Sequence, residues 1–402
     1  MNWTDRIILP GQTIGVLGGG QLGRMMILEG RRMGYRFVTL DPTPDCPAGQ
    51  VSDRQIVAPY TDVAAAEELA ASCDVITYEF ENVDAQVAQI LEQRSYVPQG
   101  SRLLRVAKHR VLEKSTLAGF GIPVTPYRPV HSLDDLQVAG TTLGFPLVLK
   151  TATGGYDGKG QWRIESAAQL EKVWASAAEE VPAVGVPAAG AAGTADVAAR
   201  FIAEAFIDLA CELSVIAARS PKGEIRTFPV AENVHRDHIL HLSIVPPRVS
   251  DALQQTAEAI ARRTAHALEV VGLIAVEMFV TRDGQVLVNE IAPRPHNSGH
   301  YTYDACLTSQ FEQHLRAICN LPLGDTTRWS PVVMVNILGE HLRAAVAAAP
   351  NLPPNVKLHL YGKQGAAAKR KMGHLTVLAD STEAALDQIA ELGIWTTPLV
   401  SR

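Results

Sequence analysis

The 402-residue chain is poor in charge: 19% of its residues are Asp, Glu, Lys or Arg, and 36 basic against 42 acidic side chains leave a net charge of −6. That balance offers no general attraction for nucleic acid or anionic membranes, so neither is an expected partner and any basic site has to be local. Cysteine is scarce as well. Cys46, Cys73, Cys211, Cys306 and Cys319 are odd in number and form no C-x-x-C pair, which argues against a disulfide framework or a structural zinc. No apolar run has the length a bilayer requires, and Met1–Pro10, with Asp5 and Arg6, lacks the basic-then-apolar order of a signal peptide. A reducing cytoplasm is the expected setting. Apolar residues make up 47%, enough at this length to bury more than one core, so a multidomain enzyme is expected.

Between residues 12 and 100, strand-like apolar runs alternate with helical patterns. Thr13–Leu17 predicts a strand, then a helix to about Met33 with Gly34 as its stop, then the strand Arg36–Asp41; Ala64–Ser72 and Asp74–Tyr78 repeat the scheme. This is the pattern of a doubly wound α/β domain with a mainly parallel sheet, whose ligands approach the carboxyl ends of strands. A helical stretch, Ser101–Phe120, leads through Gly121-Ile122-Pro123 into a second unit. There Phe145–Thr151, Gln161–Ile164, Phe201–Phe206 and Glu212–Ala218 read as strands, and Asp251–Val271 as an amphipathic helix stopped by Gly272. Val181–Arg200, mostly Ala, Gly, Val and Pro, has too little bulk for a core and reads as a flexible insertion. From Ser330, short strands and the helix Thr382–Leu392 predict a small α/β lobe. The expected domains are 1–107, 108–325 with a lid at about 120–205, and 326–402.

The first glycine motif, Gly18-x-Gly20-x-x-Gly23, follows a strand, opens a helix and has Asp41 at the end of the next strand, which fits a dinucleotide fingerprint and an NAD-dependent oxidoreductase. The same amides would equally hold another anion or a polar substrate. A second loop, Lys150 to Gln161, carries Gly154, Gly155, Gly158 and Gly160 between two strands. Four glycines let backbone amides approach phosphate oxygens, and Lys150 and Lys159 supply positive charge, whereas a plain hairpin needs one or two glycines.

Asp283-Gly284 predicts a two-residue hairpin turn that sets Glu277 opposite Glu290. Carboxylates on opposed strand positions lie about 5 Å apart and repel unless a cation or a shared proton sits between them. With Asn289 adjacent, the pair suits Mg²⁺ bridging to phosphates, and neutralising either acid should relieve repulsion. The next segment, Arg294-Pro-His296-Asn297-Ser298-Gly-His300, offers a guanidinium fork for an anionic oxygen and an imidazole suited to proton transfer. Glu204 and Glu212, with Ala205-Phe206-Ile207 between, read either as an adenine slot or as surface strand positions, and His235 either as a phosphate neighbour or as structural. Lys363, Lys369, Arg370, Lys371 and His374 form a basic group in an acidic chain.

Gly18-Gly-Gly-Gln-Leu-Gly-Arg-Met25, Tyr78-Glu-Phe-Glu-Asn-Val83, Gly155-Tyr-Asp-Gly-Lys-Gly-Gln161, Asn289-Glu290, Arg294 to His300, Tyr361-Gly-Lys363 and Arg370-Lys-Met-Gly-His374 together resemble the 5-(carboxyamino)imidazole ribonucleotide synthase family of ATP-grasp ligases. The resemblance spans nearly the whole chain. It implies an ATP-grasp fold behind a doubly wound N-terminal domain, and carboxylation of 5-aminoimidazole ribonucleotide with bicarbonate, ATP and Mg²⁺ or Mn²⁺, by a cytoplasmic homodimer. By position it implies ATP contacts at Arg110, Lys150, Gly155, Tyr156, Asp157, Gly158, Lys159, Gly160, Gln161, Glu204, Ala205, Phe206, Ile207, Glu212, His235, Asn289 and Glu290. Metal ligands would be Glu277 and Glu290; catalytic residues Arg294, His296, Asn297 and Asp157; substrate contacts Gln21, Glu79, Tyr156, Ser298, Lys363 and Arg370. Lys369 stands where the family often has Gly. The rivals are a formate-dependent glycinamide ribonucleotide transformylase, the oxidoreductase, and a catalytically silent nucleotide-binding regulator, which the intact Lys150, Glu277 and Glu290 disfavour.

Overall fold

The structure, a computed structural model, describes residues 5–81, 83–155, 158–181 and 199–395. Tyr156, Asp157, Asn82 and most of the Val181–Arg200 insertion lie outside the described residues. Among the described residues no helix is long and apolar enough to cross a membrane.

The N-terminal domain is the expected parallel sheet. Its four strands run in the order Arg54–Ile56, Arg36–Leu40, Thr13–Leu17, Val75–Tyr78, all parallel. The helix Gln21–Arg32 stops where Gly34 takes φ +91, a conformation open to glycine at little cost. This domain docks through the helix Gln310–Ile318, whose Phe311, Leu315 and Ile318 share a core with Ile14, Val16 and Met26.

The lid is an antiparallel sheet ordered Tyr127–Val130, Phe201–Ala205, Leu147–Thr151, Gln161–Ile164. Leu136 and Ala139 of the helix Leu133–Leu143, and Leu170 and Ala177 of the helix Leu170–Glu180, bury against Leu147, Leu149 and Phe201. Ser132 and Asp135 cap the first of these helices reciprocally, satisfying amides that the helix leaves without partners.

A nine-stranded sheet forms the body: Val286–Ala292, Gly272–Thr281, Leu209–Arg219, Ala231–Arg236, Ile239–Val245, Val332–Leu338, Lys371–Leu378, Val356–Leu360, with Ile225–Thr227 beside Leu209–Arg219. The C-terminal strands therefore continue the central sheet, through the pairing of Ile239–Val245 with Val332–Leu338. Two local expectations are corrected. Ser101–Phe120 is two helices, Ser101–Lys108 and Arg110–Gly119, broken at His109, whose ring accepts from Leu112 N at 3.4 Å and caps the second. The helix that begins at Asp251 ends at Ala267; Glu269, at φ +52, makes the turn, and Gly272 opens the next strand.

Candidate active site

The glycine turn of the N-terminal domain is already filled. Glu79, at the carboxyl end of the strand Val75–Tyr78, accepts from Gly20 N and Gly23 N at the mouth of the helix Gln21–Arg32. Asp41 accepts from Gly19 N at 2.7 Å and from Tyr60 Oη. The amides that a pyrophosphate would use are taken by the chain's own carboxylates, which removes the oxidoreductase reading. Glu79 is 5% exposed, and its burial raises its pKa against the opposing pull of the two amides. It thus shapes the turn beneath Gln21, which is half-buried at the helix start.

The chemistry gathers elsewhere, in a cleft of about 530 Å³ between lid, body and N-terminal domain. Of the residues expected there, Arg110, Lys150, Gly155, Gly158, Gln161, Glu212, His235, Glu277, Asn289, Glu290, Arg294, His296 and Asn297 line it. Gly160, at φ +67, faces Thr151 so closely that an added Cβ would meet Oγ1 at 2.7 Å. Only glycine holds the loop in that shape. Lys150 Nζ lies 2.9 Å from Glu204, and His235 Nδ1 lies 2.9 Å from Glu212. Ala205 ends the neighbouring lid strand and the 40%-exposed Phe206 follows it; Glu204 to Ile207, like Lys159 and Gly160, are outside the cleft lining.

Glu277 and Glu290 do face each other across the hairpin, for a different reason from the one expected. The loop is three residues long, closed by Thr281 N donating to Gln285 O at 2.9 Å with Gly284 at φ +82, which shifts the pairing by one. A bulge between Glu277 and Met278 leaves Asn289 as the extra residue and shifts it back. Each acid has a partner of its own: Glu277 Oε1 is 3.0 Å from His296 Nε2, and Glu290 Oε2 accepts from Arg110 Nη1 at 3.0 Å. Burial would push Glu277 up, but His296, with His235 and Arg294 nearby, brings its carboxyl down to about 2. Asn289 Oδ1 is buried between the acids in sequence and, among the described residues, has no hydrogen-bond partner. Two carboxylates and an orphaned amide oxygen are a donor set for a hard divalent cation, so these residues fit Mg²⁺.

Arg294 spends its fork on Glu81 of the N-terminal domain, Nη2 to Oε1 at 3.0 Å and Nε to Oε2. Burial opposes it, yet Arg294 holds the Glu81 carboxyl near 2. The guanidinium therefore links two domains at the cleft floor and is not an open anion clamp. Ser298, 1% exposed, bonds Ser214 Oγ at 2.8 Å and His296 Nδ1 at 2.9 Å, so it orients the imidazole. Asn297 is 8% exposed, and neither side-chain polar atom has a partner among the described residues.

Lys363 Nζ donates to Lys371 O at 2.8 Å, and Arg370 Nη1 to Gly365 O at 2.9 Å and to Gln364 O, which folds the basic loop onto itself. Lys371 reaches the cleft wall while Lys363 and Arg370 stand outside it. Lys369 sits at φ +64, which explains a position where glycine would be easier.

Glu113 and Lys114 were missed in the sequence. Lys114, 1% exposed, donates to Thr125 Oγ1 at 2.6 Å, Asn289 O at 2.7 Å and Val288 O at 3.1 Å, and lies 3.8 Å from Glu204; Glu113 accepts from Ile291 N at 2.8 Å. Together they pin the strand that carries Glu290. The readable signal was a lysine three residues from both Val111 and Leu117, on the apolar face of its helix.

Three domain families match in order: the ribonucleotide synthetase preATP-grasp domain over residues 11–108, the ATP-grasp domain over 115–311, and the phosphoribosylaminoimidazole carboxylase C-terminal domain over 332–388. The N5-carboxyaminoimidazole ribonucleotide synthase of Bacillus subtilis is 46% identical over 96% of each chain, and that of Brucella melitensis 44% identical over 93% of this chain and 98% of the other. An N5-carboxyaminoimidazole ribonucleotide synthetase solved as its ADP complex superposes with a TM-score of 0.89 at 50% identity, covering 97% of this chain and 98% of that one. The Aspergillus clavatus enzyme, solved with ADP and 5-aminoimidazole ribonucleotide, gives 0.84 at 33% identity over 95% and 97%. With its glycine-rich loop and its opposed acids in one cleft and these matches along nearly its whole length, the chain belongs to the N5-carboxyaminoimidazole ribonucleotide synthase family of ATP-dependent ATP-grasp ligases.

Proposed function

We propose that this cleft joins bicarbonate to the exocyclic amine of 5-aminoimidazole ribonucleotide while ATP is cleaved to ADP and phosphate. The observation that carries the reading is the Glu277–Glu290 pair with Asn289, in one cleft with the Lys150 loop and the Arg294–Asn297 segment. Bicarbonate is a poor electrophile. Attack of its oxygen on the γ-phosphorus expels ADP and gives carboxyphosphate; attack of the amine on the carboxyl carbon then expels phosphate, and the amine proton leaves. We assign that proton to His296, whose ring is held between Ser298 and Glu277. Lys150 and the loop amides face the charge that develops on the phosphates, and lid closure keeps water from the activated carboxyl. Glu277, Glu290 and Asn289 would hold Mg²⁺, or Mn²⁺ in its place, which supplies charge neutralisation at the phosphates. Glu212, in the cleft lining, and Glu204 to Ile207, on the lid outside that lining, are assigned to the nucleoside. A cytoplasmic homodimer completes the reading.

ADP release is expected to require Mg²⁺ and to rise strongly when bicarbonate and 5-aminoimidazole ribonucleotide are both present. Stimulation by formate with glycinamide ribonucleotide would transfer the chain to the transformylases. The basic loop is assigned to the ribonucleotide phosphate. Lys363→Ala and Arg370→Ala should each raise the KM for the ribonucleotide by roughly ten- to a hundredfold, the loss of one charge-assisted bond, with the KM for ATP unchanged. The opposite split would move both residues to the nucleotide site.

A further inference from the structure

Away from the cleft, the last two strands of the central sheet bring two imidazoles together. His359 and His374 are direct cross-strand partners, and their rings stack at 4.6 Å with 20° between planes. The helix Thr302–Ala305 packs against that face and supplies Asp304, whose Oδ2 lies 2.8 Å from His359 Nε2. Each of the three residues offers a ligand atom, and the three atoms lie within 4.8 Å of one another.

The arrangement leaves one polar atom unexplained. His374 is fully buried, and its Nδ1 meets the hydroxyl of Tyr361 at 2.9 Å, yet among the described residues its Nε2 has no hydrogen-bond partner. A buried ring nitrogen in that state calls for a reason. With the Tyr361 hydroxyl accepting from Nδ1–H, the lone pair rests on Nε2, as it does in imidazoles that bind metals through one nitrogen and are oriented through the other.

We propose that Asp304, His359 and His374 form a binding site for one divalent transition-metal ion of the Zn²⁺ class, with Tyr361 orienting His374. Two imidazoles and one carboxylate suit Zn²⁺, Co²⁺ or Ni²⁺ and not Mg²⁺, which takes oxygen ligands. A small closure of side chains brings the three donors onto one ion. The Asp304 and His359 side chains are 13% and 23% exposed, so solvent reaches one edge and water can complete the coordination. An ion there ties the strand beginning at Lys371, which reaches the cleft, to the helix that follows the His296–Gly299 segment. It acts as a clamp on the C-terminal part of the sheet, separate from Glu277 and Glu290.

The test titrates Zn²⁺, and separately Co²⁺, into the full-length chain by calorimetry and visible absorption. One ion per chain is expected, with Co²⁺ absorption bands indicating nitrogen ligation and a melting temperature raised by Zn²⁺. Glu277→Gln/Glu290→Gln should keep the site. Asp304→Asn and His359→Gln, at partly exposed positions, should each weaken binding about tenfold or more, and Tyr361→Phe by about tenfold, without lowering the metal-free melting temperature to match. Absence of binding to the wild type, equal binding by Asp304→Asn and His359→Gln, or loss of binding only in Glu277→Gln/Glu290→Gln would each overturn the assignment.

Discussion

Glu290→Gln and Glu277→Gln should each lower ADP release by roughly 10²–10³-fold or more at saturating substrates, the scale of removing one electrostatic contact at the reacting phosphate. Both carboxylates lie in the cleft lining, on opposed strand positions that only the Asn289 bulge keeps aligned. Each substitution keeps the shape and removes one anionic oxygen from the set that fits Mg²⁺. Stability should move opposite to the expectation from bare repulsion. Glu290 holds the Arg110 guanidinium, which is 19% exposed, and Glu277 holds the His296 ring, so Gln at 290 leaves a cation without its partner and Gln at 277 weakens a hydrogen bond to a carboxylate. A fall in unfolding free energy of about 1–3 kcal/mol is expected in place of a rise. Chemical denaturation of both variants alongside the ADP assay checks the two parts separately; wild-type turnover in either variant would refute the metal role.

The N-terminal sheet was legible because strand periodicity, a helix stop at Gly34 and short connections all act locally. The loop between Lys150 and Gln161 was legible for the same reason, since Gly160 is needed where it stands. What pairs with a charge was not legible. Arg294 looks like a clamp for substrate until Glu81 is seen across the domain boundary, 213 residues away in sequence, and Glu79 looks like a ligand contact until it fills the turn at Gly20 and Gly23. The acid pair was found through two compensating errors, a loop one residue longer than expected and a bulge that restored the register. A bulge has no strong local signal when it consists of an ordinary Asn. The continuous sheet joining body and C-terminal strands was hidden too, because strand neighbours far apart in sequence depend on tertiary packing.

Lys114→Met tests whether this hidden layer governs the site. The substitution keeps the volume and removes one buried charge together with the hydrogen bonds to Thr125, Asn289 O and Val288 O. Burial lowers the Lys114 pKa while Glu204 opposes that shift, so the ammonium depends on its partner. Glu204 depends on Lys114 in return: burial disfavours its charge, and Lys114, Lys150 and Arg110 hold it near 2. Breaking one side of a buried ion pair costs about 3–5 kcal/mol when the other charge is left uncompensated; Lys150 stays 2.9 Å from Glu204, so the cost here falls at the lower end of that range. The unfolding free energy of Lys114→Met should fall by about that much, and Lys114→Met/Glu204→Gln should lose less than the sum of the two single variants. Activity should fall as well at temperatures where the variant is still folded. Lys114 holds the carbonyl of Asn289, one residue before Glu290, and a displacement of about 1 Å at such a point can cost roughly a hundredfold in turnover. If Lys114→Met unfolded within about 1 kcal/mol of the wild type and turned over at the same rate, the strand pairing alone would be placing Glu290, and the buried lysine would be dispensable to the site.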